Sequence, residues 1–139
     1  MKKVLLPVDG SCYTTKILER AKSLFDSKEV QITLLTVVNT PMHYKYDFEY
    51  KNALHHSQKN LENYAEMLSA YQVSTSVVCG RPGVSIVRFA KQNNFDCVLM
   101  TRSFQGSAET YHAVSSYVVK KAPFLELLIL PEDAQRQYA

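Results

Sequence analysis

Short apolar runs alternate along this chain with longer segments whose apolar positions recur every three or four residues. Runs of the first kind read as strands covered on both faces, and segments of the second as helices laid against them. The alternation therefore predicts βαβ units and a parallel sheet. Strands are expected over residues 3–8, 29–38, 73–79, 96–101 and 125–130, all nearly continuous Val, Ile and Leu. Pro7 lacks an N–H and would break a central ladder, so it belongs at the carboxyl end of the first strand.

The helical segments carry comparable stripes. Ile17, Leu18, Ala21, Leu24 and Phe25 follow Ser11, an expected N-cap, and Leu54, Leu61, Tyr64, Ala65 and Leu68 mark a second helix. A third is expected to start at Pro82 and to end at Asn93-Asn94, where a left-handed residue is tolerated, with Ile86, Val87 and Ala90 facing inward. Val114, Val118 and Ala122 mark a fourth, stopped by Pro123. One stretch, residues 39–50, does not fit: Tyr44, Tyr46, Phe48 and Tyr50 alternate with Lys45, Asp47 and Glu49, a period of two that is wrong for a helix. It reads either as an aromatic lid over a ligand crevice or as a flap packed on the domain or on a partner subunit.

Composition narrows the function classes. The 139 residues suit one domain spanning residues 1–139, and no apolar run approaches the roughly 18 residues of a membrane helix. The run after Met1-Lys2-Lys3 stops at Asp9, short of a signal peptide. A cytoplasmic protein is expected, with no membrane partner. Cys12, Cys79 and Cys97 are odd in number and widely spaced, which reads as reduced thiols. Cys12 stands where a helix begins, either as a thiol activated by the helix dipole or as a small filler residue. The net charge of +3 is scattered without a basic stripe, so no nucleic-acid partner is expected.

Candidate chemistry collects after the first and fourth strands. Asp9-Gly10-Ser11 allows a sharp turn into a helix start that attracts anions, yet it is equally a common turn with a built-in cap. Ser11, His112 and Asp9 are the types of a nucleophile set, but a triad is defined by geometry, so no catalytic residues are assigned. His55 and His56 diverge by about 100° on a helix and cannot chelate one metal; none is expected there or at His43 and His112.

The segments Val4-Leu5-Leu6-Pro7-Val8-Asp9-Gly10-Ser11, Leu34-Leu35-Thr36-Val37-Val38, Val77-Val78-Cys79-Gly80-Arg81-Pro82 and Asp96-Cys97-Val98-Leu99-Met100 occur in an order and spacing that resemble the universal stress protein family. The resemblance covers nearly the whole chain. It implies an open, Rossmann-like α/β fold with a five-stranded parallel sheet of order 3-2-1-4-5, helices on both faces, a stress role and homodimers. It further implies that adenine and ribose, where bound, lie near Pro7, Val8, Asp9, Val37 and Met100. Phosphates would lie on a loop of pattern Gly, two residues, Gly, nine residues, Gly-Ser, which brings Thr101, Arg102, Gly106, Ser107 and Val114 into the candidate site.

The chain departs from that pattern. Thr101 and Phe104 stand in place of glycines, the next glycine is displaced to Gly106 or replaced by Ser107, and His112-Ala113 replaces Gly-Ser. Losing two charge-assisted hydrogen bonds of roughly 1.5 to 3 kcal/mol each weakens binding about a hundredfold to ten-thousandfold. Arg102, Ser103, Ser107 and His112 offer compensation, Arg102 being the obvious phosphate partner. Two functions follow: a dimeric stress-response interaction protein without tightly held nucleotide, or an ATP- or AMP-binding switch using a rearranged loop, with slow ATP hydrolysis that needs Mg²⁺. Oxidant sensing through Cys12 is a third. By the implied order the last strand, with Leu125, Leu127, Leu128, Ile129 and Leu130, lies at a sheet edge and pairs with its copy across a two-fold axis. Glu126 within it is a departure, facing solvent or discouraging longer stacking.

Overall fold

The computed structural model of the chain describes residues 1–38, 42, 44–101 and 111–130, with only the backbone for 111–113. Within them β1 (Lys2–Pro7), α1 (Thr14–Leu24), β2 (Val30–Val38), α2 (Asp47–Glu66), β3 (Gln72–Cys79), α3 (Pro82–Gln92), β4 (Cys97–Thr101), α4 (Tyr111–Lys121) and β5 (Glu126–Leu130) follow one another. The strands form one sheet in the order β3-β2-β1-β4-β5, and every neighbouring pair is parallel. This is the open α/β architecture that the apolar alternation and the resemblance predicted.

Right-handed crossovers leave β1 in opposite directions, which puts α1 and α2 on one face and α3 and α4 on the other. Side chains tie each pair together. The Tyr71 hydroxyl, just beyond α2, donates to the carbonyls of Lys22 and Phe25 at the end of α1, at 3.3 and 2.6 Å. Gly83 of α3 lies so close to Tyr117 of α4 that a Cβ there would sit 3.0 Å from the ring.

The core explains the continuous apolar runs. Val4, Leu5 and Leu6 of β1, Ile32, Leu34 and Leu35 of β2, and Cys97, Val98, Leu99 and Met100 of β4 are fully buried, because helices cover both of their faces. Each large side chain so buried contributes about 1.5–3 kcal/mol relative to exposure. Ile17, Leu18 and Ala21 of α1, Leu61 of α2, Ile86 and Ala90 of α3, and Val114 and Val118 of α4 meet them. The edge strand β3 has no buried residue along its length.

Pro7 ends β1, Pro82 opens α3, and Asn94 after α3 has φ 56°, as expected. Three expectations change. First, α1 starts at Thr14 with Tyr13 as N-cap rather than directly after Ser11. Second, Asp47, Phe48, Glu49 and Tyr50 are the first turn of α2, despite their alternating polarity. The Glu49 carboxylate accepts the Tyr46 N–H at 3.0 Å, and Asp47 adds negative charge at the same helix start, so local capping overrides the period-two pattern. Third, Leu125 does not belong to the edge strand: it is buried, and its N–H donates to the Ala122 carbonyl in the turn after α4.

Candidate functional site

At the carboxyl end of β1 the chain is held before it turns. The Val8 N–H donates to the Leu35 carbonyl at 2.8 Å, and the Val8 carbonyl accepts the Thr36 hydroxyl at 3.2 Å. Gly10, at φ 76°, then supplies the bend that a side chain resists. The Asp9 carboxylate accepts the Ser11 N–H at 3.0 Å, the Ser11 hydroxyl accepts the Tyr13 N–H at 3.3 Å, and the Ser11 carbonyl accepts the Thr14 N–H at 3.1 Å. Three amides leading into α1 are thus taken by oxygens of the turn itself. The Asp9-Gly10-Ser11 segment thus closes on itself as a turn, with the Asp9 carboxylate on the Ser11 amide, while among the described residues no side chain caps α1.

The fold gathers the expected nucleotide positions along one edge. Pro7, Val8 and Asp9 leave β1, Val37 lies near the end of β2, and Met100 and Thr101 end β4, the strands on either side of β1. Val8, Val37, Met100, Thr101 and Val114 are buried, while Asp9 is half-exposed. Pro7, Val8, Asp9, Tyr13, Thr14, Ile17 and Thr101 enclose a space of about 10 Å³, room for about one water. Thr14 is 3% exposed, and among the described residues its hydroxyl has no hydrogen-bond partner. It was overlooked in the sequence; its spacing of three from Ile17 on the buried stripe of α1 was the available signal. Arg102, Ser103, Phe104, Gly106 and Ser107 lie outside the described residues, and His112 and Ala113 are described only as helical backbone.

The described aromatic residues of the 39–50 segment lie toward the other end of the sheet edge. Tyr50 Oη and Cys79 Sγ are hydrogen-bonded at 2.7 Å, and the Tyr44 ring tilts against Tyr50 with centroids 5.7 Å apart. Tyr44 and Tyr50 therefore pack toward the end of β3, two strands from β1. Tyr46 and Phe48 stack on each other and stay exposed, at 51% and 62%. Contact with Cys79 raises the Tyr50 hydroxyl above its ordinary value.

Cys12 and Cys79 are exposed and Cys97 is buried. Burial, followed by the nearby Glu126 carboxylate, pushes the Cys97 thiol up to about 12. Glu126 pairs with Lys2, a bond that reaches across β4 to β1; it lowers the Glu126 carboxyl and raises the Lys2 ammonium. Glu126 is thereby anchored to the first strand of the same chain. Among the described residues no three His, Cys, Asp or Glu side chains converge on a possible metal position. No described helix is long and apolar enough to cross a membrane.

The family model described as "Universal stress protein family" matches residues 1–129. No curated protein sequence matches the chain at a comparable level. The chain is similar in structure to the hypothetical protein MJ0577, with a TM-score of 0.78 and 25% identity over 96% of this chain and 97% of that one. It is similar to the universal stress protein UspA of Lactobacillus plantarum, with a TM-score of 0.75 and 22% identity over 93% and 97%. A universal stress protein family protein of Arabidopsis thaliana with AMP bound superposes with a TM-score of 0.67 and 16% identity over 98% and 95%.

Proposed function

Because the chain belongs to the universal stress protein family, we propose that it works as a homodimer in a stress response, meeting protein partners without holding ATP tightly. The observation that carries this reading is the β1–α1 turn, where the Asp9 carboxylate and the Ser11 oxygens occupy amides that an anion would otherwise use. Thr101 adds to it. A side chain, 8% exposed, stands at the strand end where the resemblance expects a glycine and bare backbone beside phosphate. The adenine side of the site is better kept, since Val8, Val37 and Met100 remain apolar and buried.

That asymmetry supports a second reading, in which an AMP-like nucleotide is held mainly through its base and ribose. The Arabidopsis thaliana protein with AMP bound favours it. In this reading Pro7, Val8, Val37 and Met100 would flank the base, Asp9, whose carboxylate accepts more than one hydrogen bond, would reach the ribose, and Mg²⁺ would accompany the phosphates of ATP. Calorimetric titration separates the two. The first reading expects no heat from Mg-ATP or AMP below millimolar concentration, and a dissociation constant near one micromolar for either would overturn it.

A further inference from the structure

On the α3 side of the sheet, the amino-terminal halves of β2 and β3 are lined with polar side chains. Thr33 pairs with Ser74 and Gln31 with Gln72 in the parallel register, while Lys3 and Leu5 of β1 continue the rows. Thr75 turns its hydroxyl to Gln58 of α2 at 3.2 Å, so its neighbours Ser74 and Ser76 face the opposite way. A doubly covered parallel sheet calls for apolar residues at such positions. Here α3 crosses from β3 toward β4 and leaves this corner open.

The corner is a cavity of about 360 Å³ with Gln31, Thr33, Ser74 and Ser76 on one side and Phe89, Asn93 and Phe95 on the other. Its volume falls in the range of small-ligand sites. Among the described residues, none of these four strand side chains is hydrogen-bonded to the protein. Thr33 is nonetheless only 9% exposed, so a partly buried hydroxyl is left for whatever enters. Phe89 and Phe95 stack with centroids 5.7 Å apart and form an apolar wall. The charged group of the lining is Lys3, whose ammonium already donates to the Asn93 carbonyl and lies 4.7 Å over the Phe95 ring. Its charge is accommodated before any ligand arrives, and among the described residues no carboxylate lines the cavity.

We propose that this cavity binds a small, uncharged, polyhydroxylated molecule of the sugar or polyol class, held by Gln31, Thr33, Ser74 and Ser76 against the Phe89–Phe95 wall. Hydroxyl and amide side chains both donate and accept, as a ligand rich in hydroxyl groups requires, while a ring's C–H face suits the aromatic wall. The site lies at the opposite corner of the sheet from the β1–β4 crevice, so it stands whichever reading of nucleotide binding holds.

The test is an amide-resolved NMR titration of the full chain with glucose, sorbitol and glucose 6-phosphate. Saturable shifts confined to Gln31, Thr33, Ser74, Ser76 and Asn93, with a millimolar dissociation constant for glucose or sorbitol, are expected; which of the two binds separates ring from open-chain recognition. Thr33→Val should weaken binding at least tenfold, and Ser74→Tyr, at an exposed edge position, should block it. Gln58→Ala, on the other face of β3, should leave it unchanged. No saturation by glucose or sorbitol at 100 mM, shifts centred on Val8 to Ser11, or tenfold preference for glucose 6-phosphate would overturn the proposal.

Discussion

Single residues show how environment sorts chemically identical groups. The three thiols separate because β4 is central and sandwiched, whereas Cys12 and Cys79 lie in a turn and at a strand end. With its thiol pushed up to about 12, Cys97 is ionised to about one part in ten thousand at pH 8. Native protein treated with iodoacetamide at pH 8 should gain two labels, on Cys12 and Cys79, and a third only in denaturant; labelling of Cys97 as fast as Cys79 by mass spectrometry would refute this. The same shift predicts a pH dependence. An unfolded thiol ionises near its ordinary 9.0 and the folded one near 12, so between them the unfolded chain sheds the proton first. The contribution is full below pH 9 and lost as pH rises toward 12. The urea midpoint should therefore fall more between pH 8 and 10.5 in the wild type than in Cys97→Ala. Of all this the sequence supplied the cysteine count and a doubly covered strand over 96–101; the Glu126 neighbour came from pairing β4 with β5, which no local pattern encodes.

At the scale of elements, short-range chemistry and long-range contact decide different things. Pro82 as the first residue of α3 and Asn94 after its end were readable because both act through their own backbone. The start of α2 was misread for a related reason: the polar and aromatic alternation of residues 44–50 resembles a strand, while the Glu49 contact to Tyr46 that begins the helix spans only three residues. Gly83 illustrates the tertiary side. Gly83 is the second residue of α3, so in an isolated helix Gly83→Ala would gain less than the roughly 1 kcal/mol of an interior site, and the new Cβ would lie 3.0 Å from Tyr117 Cδ1 and 3.1 Å from its Cβ. Forcing α3 from α4 costs typically 1–3 kcal/mol, so the net effect should be a loss of roughly 1 kcal/mol in urea unfolding. Because the Cβ contact survives truncation, Tyr117→Ala should not rescue it. A gain in stability for Gly83→Ala would show that the two helices part easily.

At the scale of the whole molecule the outer edge of β5 governs assembly in the proposed dimer. Leu127, Leu128, Ile129 and Leu130 are each half-buried, β4 covers one side of the strand, and among the described residues no strand pairs with the other. Exposed Phe124, 49% accessible, adjoins them. An apolar edge of this kind is an aggregation liability unless it is paired, and a two-fold copy pairs it with a self-limiting result. Light scattering should give twice the 15.8 kDa chain mass, and Leu128→Lys should return it to the single-chain value with its circular dichroism retained. A wild-type mass of 15.8 kDa would rule the dimer out. The opposite edge, β3, shows the alternative solution of polar residues along an open corner.

The chain's own pattern determined the fold class, because continuous apolar runs can be satisfied only inside a sheet covered on both faces, and turn residues act within a few positions of themselves. The resemblance added the strand order. What the tertiary structure alone decided was how groups distant in sequence meet. Tyr50 settled on Cys79 across 29 positions, Lys2 paired with Glu126 across β4, and Thr33 came beside Ser74 in an open corner. Such outcomes depend on register and crossover geometry, in which each side chain's partner is chosen by the whole arrangement and not by its neighbours along the chain.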